Sequence, residues 1–142
     1  MNPSLRRKPE WLKIRPPSGE NYLKIKGLRQ GLGLATVCEE ARCPNTAECW
    51  GGGTATFMLL GDTCTRACRF WNAKTGNPRG KVDAEAPVKV AHAVKTMGLT
   101  YVVLTMVDRD DFPDGGAAHV FSFVAAIKDA VPDVLVETLV DD

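Results

Sequence analysis

The chain has 142 residues, the size of one domain, and its 44% hydrophobic and 25% charged side chains suffice to bury a core. The formal net charge of +1 hides an asymmetry: residues 1–70 carry eleven Lys/Arg against six Asp/Glu, and residues 71–142 carry seven against eleven. The basic excess lies in the first 30 residues, too sparse and too interrupted by Pro and Gly to indicate nucleic acid. No apolar run approaches the roughly 18 residues of a membrane span, and Met1 to Lys8 has no signal-peptide core. A cytoplasmic protein with neither nucleic acid nor membrane as partner is expected. No amphipathic, acid-poor leader precedes the patterned region, which favours a bacterial cytoplasm, although an organelle destination stays open.

Residues 1–37 read as an irregular basic lead-in with a helical stretch from about Tyr22 to Gln30, weakened by Gly27, Gly31 and Gly33. Residues 38–53 hold three cysteines and end in Gly51-Gly52-Gly53, a tight bend. Thr54 to Leu60 alternates little, as expected of a strand buried on both faces. A gap from Gly61 to Ala86 shows no clear element, and so long a connection in a compact domain is usually functional. Pro87 opens a helix with Val90, Val94 and Met97 at helical spacing, and Gly98 is placed to end it. Tyr101 to Val107 is a second strand. Val120, Val124, Ile127 and Val131 mark a second helix that stops at Pro132, and Val134 to Val140 is a third strand. The order strand, helix, strand, helix, strand predicts an α/β fold with a parallel sheet.

All five cysteines fall between Cys38 and Cys68. An odd number of clustered thiols without an export signal points to metal ligands rather than disulfides. Cys38, Cys43 and Cys49 form a C-x4-C-x5-C array, wider than the close pairs of structural zinc sites and suited to an iron–sulfur cluster, with zinc as the alternative. Cys64 and Cys68 follow the first strand, at the edge where parallel sheets build their sites. A C-x3-C-x2-C motif there holds a [4Fe–4S] cluster by three irons. Here the third position is Trp71, and indole does not ligate iron.

Asp108, Arg109, Asp110, Asp111 and Asp114 follow the second strand. One reading is a solvated loop in which Asp114 and Gly115 cap the next helix. In the other, Thr105 and the Asp108–Asp111 turn approach a small-molecule cofactor or substrate. His92 and His119 lie on the two predicted helices outside any ligand-spaced pair and read as surface or packed side chains. Arg66 and Arg69 stand among the thiols, where they either balance an anionic cluster or face solvent.

The residues Arg7-Lys-Pro-Glu-Trp11, Thr36-Val-Cys-Glu-Glu-Ala-Arg-Cys-Pro-Asn45, Glu48-Cys-Trp-Gly-Gly-Gly-Thr-Ala-Thr-Phe57 and Gly61-Asp-Thr-Cys-Thr-Arg-Ala-Cys-Arg-Phe70, with Gly19 to Tyr22, Val107 to Asp111 and Pro113 to Ala117, resemble the N-terminal half of the lipoyl synthase family of radical S-adenosylmethionine enzymes. The resemblance implies residues 1–53 as an N-terminal extension bearing an auxiliary [4Fe–4S] cluster on Cys38, Cys43 and Cys49. It implies residues 54–142 as the first half of a partial (βα) barrel, whose Cys64 and Cys68 are two ligands of the [4Fe–4S] cluster that cleaves S-adenosylmethionine. Phe70, Thr105 and Asp108 are then expected near that cofactor.

The implied reaction inserts two sulfurs into a protein-bound octanoyl group, with an octanoylated lipoyl-carrier domain and an electron donor such as flavodoxin or ferredoxin as partners. With Trp71 in place of the third cysteine and three strand units, the expectation is a truncated or degenerate copy, inactive alone, whose third strand forms an exposed apolar edge. The alternative is a non-enzymatic iron–sulfur or zinc-binding remnant that acts with a separate chain.

Overall fold

The structure is a computed structural model that describes residues 9–14, 16–69 and 73–140. Phe70, Trp71 and the first eight residues, which carry part of the motifs above, lie outside the described residues. After a 3-10 turn at Glu10–Leu12 come helices α1 (Glu20–Leu32), α2 (Val37–Glu40) and α3 (Thr46–Gly51). Strand β1 (Thr54–Met58) is followed by the two-residue strands β2 (Thr63–Cys64) and β3 (Lys74–Thr75). Helix α4 (Ala86–Met97), strand β4 (Tyr101–Thr105), helix α5 (Ala117–Ala130) and strand β5 (Leu135–Leu139) complete the order.

The expected alternation is present. β1, β4 and β5 form a parallel sheet in that order, with Thr54 beside Tyr101 and Tyr101 beside Leu135. At the other end Met58 aligns with Thr105 and Thr105 with Leu139, so the chain leaves β1 and β4 at one edge. Ala55, Phe57, Val102 and Leu104 point inward and pack with Val90, Val94, Phe123 and Ile127 from α4 and α5. β1 differs from the expectation of burial on both faces. Thr54 and Thr56 are only half-buried, because α4 and α5 pack as a pair against the alternate residues of the strands.

The helix ends follow their punctuation. Gly98 adopts φ +64° after α4, where its N–H donates to Lys95 O and that of Leu99 to Val94 O, the paired bonds that close a helix on a left-handed residue. Asp114 caps α5 by accepting from Gly116 N–H at 2.9 Å and Ala118 N–H at 3.0 Å. α1 runs two residues beyond the expected span at each end and is not interrupted by Gly27 or Gly31, with Ile25 buried and Tyr22 stacked on Trp50 at 5.2 Å. The cysteine segment 38–53 contains two short helices that were not expected. Neither exceeds six residues, too short to show a period, and Pro44 separates them. The Gly61–Ala86 connection is likewise less irregular than it read, since it holds the β2–β3 pair.

β5 has β4 on one side and, among the described residues, no strand on the other. Leu135, Leu139 and Val140 are 63%, 55% and 64% exposed, the apolar edge the pattern implied. Among the described residues no helix is long and apolar enough to cross a membrane.

Candidate metal centres

Two cysteine groups stand apart in their construction. The first is a stitched turn. Cys38 lies in α2, and Cys43 follows the left-handed residue Arg42 (φ +49°). The Cys43 N–H donates to Cys38 O at 2.9 Å, and the Thr46 hydroxyl donates to Cys43 O at 2.9 Å while lying 3.3 Å from Cys38 O. Cys49 sits on α3, one residue before Trp50, whose ring is wholly buried. Burial pushes the Cys38 thiol up, and Cys43 and Cys49 add to that direction. The Thr56 N–H and the Trp50 indole, which lie against the sulfur, oppose it. Yet the indole nitrogen has no partner in hydrogen-bond geometry, nor does the buried Thr36 hydroxyl two residues before Cys38.

A buried N–H or O–H without an acceptor costs about 1–3 kcal/mol. The indole one lies against the Cys38 thiol, a place where a sulfur acceptor belongs. Tetrahedral zinc, with Zn–S near 2.3 Å, holds its thiolates about 3.8 Å apart. Among the described residues Cys38, Cys43 and Cys49 are not gathered within 4.8 Å of one another, as a single ion's ligands are.

The second group does draw together. Cys64 ends β2 and is buried, Cys68 is half-buried, and both free thiols face the Asp108 carboxylate from the turn after β4. Asp108 Oδ2 lies 3.5 Å from Cys64 Sγ and 3.8 Å from Cys68 Sγ. The three ligand atoms all lie within 4.8 Å of one another. Burial, then the Cys64 thiol and the Asp108 carboxylate, push the Cys68 thiol up.

Backbone and side chain fix this meeting of two loops. The Thr65 N–H donates to Asp108 O at 2.9 Å, and the Thr65 hydroxyl lies 2.8 Å from an Asp110 oxygen. Arg66 forks onto Asp110 at 3.0 and 2.9 Å and reaches Asp108 Oδ1 at 3.8 Å. Arg66 thus sits among the acidic side chains while itself exposed, as Arg69 is.

Arg109 departs from the solvated-loop reading. It is buried to 1% exposure and donates to Leu60 O at 2.6 Å, to Lys81 O at 3.0 Å and to both Asp111 oxygens. These bonds hold Asp111 well below the usual carboxylate range, burial opposes them, and the Gly80 N–H adds to the lowering. The cluster of like-signed neighbours disguised this residue. Thr105 is buried at the end of β4, beside the site but outside the group of three. His92 is exposed, and half-buried His119 meets Phe123 edge-on at 5.0 Å. Neither joins a metal-ligating group among the described residues.

A mainly apolar cavity of about 300 Å³ opens nearby at the end of β1, lined by Leu34, Met58, Leu60, Val82, Val90 and Phe123 among others.

The first 43 residues match the family model described as the N-terminal domain of lipoyl synthase of the radical S-adenosylmethionine family. The relatives sharpen the match. The chain is 56% identical over 137 residues to the lipoyl synthase of Halorhodospira halophila, covering 96% of this chain and 41% of the relative. It is 57% identical over 135 residues to that of Sorangium cellulosum, with 95% and 36% covered, and 55% identical over 137 residues to that of Thermus thermophilus, with 96% and 42% covered. The chain spans about two-fifths of the length of the curated relatives it matches. Over nearly all of its own length it is similar to part of these lipoyl synthases.

Proposed function

We propose that this chain carries the sulfur-donating half of a lipoyl synthase centre, a [4Fe–4S] cluster on Cys38, Cys43 and Cys49, without the S-adenosylmethionine-cleaving half. In this reading residues 1–53 are the cluster-bearing extension, and β1, β4 and β5 begin a radical-SAM-type barrel in residues 54–142. The observation that carries it is the Trp50 indole N–H, buried and aimed at the Cys38 sulfur without a partner in full hydrogen-bond geometry. Cluster sulfurs are acceptors of the kind that N–H lacks, and hydrogen bonds to them tune a cluster's potential.

That the three thiols are not drawn within 4.8 Å of one another is compatible with a cluster, which is larger than a single zinc ion. When bound, the cluster supplies sulfide for insertion at C6 and C8 of a protein-bound octanoyl chain. The protein's part is to hold the thiolates: the Thr46 hydroxyl fixes the turn, and Trp50 excludes water and donates toward sulfur. The apolar cavity at the end of β1 suits an alkyl chain. An octanoylated carrier domain, S-adenosylmethionine and an electron donor such as flavodoxin or ferredoxin complete the whole reaction.

The cleavage cluster does not fit the residues present. Cys64 and Cys68 are two thiolates, and the third position is Trp71, whose indole nitrogen is only a donor. Trp71 therefore favours a non-enzymatic cluster carrier that works with a separate chain. Anaerobic incubation with iron, sulfide, reductant and S-adenosylmethionine tests both halves. The expected result is a cluster chromophore that Cys43→Ser abolishes, with no 5′-deoxyadenosine formed. Release of 5′-deoxyadenosine overturns the loss of cleavage, and a colourless, sulfide-free chain overturns the cluster.

A further inference from the structure

We propose that Cys64, Cys68 and Asp108 form a mononuclear zinc-type site. The spacing is that of one ion. Tetrahedral zinc with Zn–S about 2.3 Å and Zn–O about 2.0 Å sets a thiolate sulfur and a carboxylate oxygen about 3.5 Å apart. Asp108 Oδ2 lies 3.5 Å from Cys64 Sγ and 3.8 Å from Cys68 Sγ, and all three ligand atoms lie within 4.8 Å of one another.

The outer contacts match as well. Only Oδ2 of Asp108 faces the sulfurs, while Oδ1 faces Arg66 at 3.8 Å. A ligating carboxylate oriented by a second group is the usual support of a metal site. The Asp108 carbonyl is held by the Thr65 N–H at 2.9 Å, so the ligand from the β4 turn is locked to the loop that carries both cysteines. Two thiolates and a carboxylate supply the negative charge that a divalent ion needs, while Arg66 chiefly pairs with Asp110. Thiolate softness selects zinc over magnesium or calcium.

This site is independent of the cluster proposed at Cys38, Cys43 and Cys49, and the two fail separately. Loss of sulfide uptake in Cys43→Ser leaves zinc binding at Cys64 and Cys68 untouched.

The test is zinc alone, added to about one equivalent per chain under anaerobic conditions, read by X-ray absorption at the zinc edge and by competition with a chromophoric chelator. The expected ligand set is about two sulfurs and two lighter atoms, with affinity reduced roughly tenfold or more in the isosteric Asp108→Asn variant. Circular dichroism of that variant confirms its fold, and Asp110→Asn serves as a neighbouring control with little effect. A set of three or more sulfurs, an affinity indifferent to Asp108→Asn, or no zinc uptake overturns the site.

Discussion

The buried guanidinium of Arg109 donates to the backbone oxygen of Leu60 at 2.6 Å, tying the end of the first sheet strand to the turn after the second. The same side chain binds Lys81 O and the Asp111 carboxylate. One residue thus gathers three connections on the edge that carries Cys64, Cys68 and Asp108. Removing one partner of a buried ion pair leaves an uncompensated charge and costs about 3–5 kcal/mol. Arg109→Met is expected to lose stability on that scale in urea denaturation. Arg109→Lys recovers only part of it, since an ammonium cannot reproduce the fork that meets both Asp111 oxygens. A loss below about 1 kcal/mol, the range of exposed pairs, would show that the pair is effectively solvated.

Asp111 makes the same tie sensitive to acid. Its carboxyl is held below the usual range, so the folded chain binds fewer protons than the unfolded one near the unfolded value of about 3.9. The stability this supplies is complete above that value and is lost as pH falls through it toward the folded-state value. Asp111→Asn lowers stability at neutral pH and flattens the acid limb between about pH 5 and pH 2. Denaturant midpoints measured across that range check it, and an unchanged slope in the variant contradicts it.

Gly116 and Gly98 separate backbone strain from collision. Both have positive φ, +92° and +64°, but a Cβ on Gly116 falls 2.5 Å from Leu60 Cδ1, whereas one on Gly98 meets nothing within 4 Å. Gly98→Ala is expected to cost about 1 kcal/mol from the left-handed backbone alone. Gly116→Ala costs at least about 1 kcal/mol more, because buried Leu60 must move in a packed core. Equal losses in thermal unfolding would mean that Leu60 yields freely.

The apolar edge of β5 carries a prediction about association. An exposed strand edge templates pairing, and charge on it opposes this. Leu135→Lys with Leu139→Lys is expected to lower concentration-dependent light scattering without changing the circular dichroism spectrum. Undiminished scattering would place self-association on another surface.

The parallel sheet and its helices were legible because Pro87, Gly98 and Pro132 punctuate apolar runs of the right lengths. Asp114 was legible as a cap for the same local reason. What escaped depends on tertiary closure. Arg109 sits in a run of acidic residues that reads as solvated, and only the approach of Leu60 and Lys81 makes it interior. Asp108 was expected near a cofactor, but no spacing rule links it to Cys64 across 44 positions. Trp50 read as part of a motif, and its orphaned N–H exists only once α1 and α3 close over it. The short helices α2 and α3 lie below the length at which periodicity speaks.

The most direct test of the account is inorganic sulfide per chain after anaerobic reconstitution, for the natural chain and for Trp71→Cys. The account predicts about four sulfides in the natural chain and about eight in the variant, taking four per cubane, because zinc-type binding at Cys64 and Cys68 brings no sulfide. A natural chain that retains no sulfide, or one that already holds about eight, would contradict it.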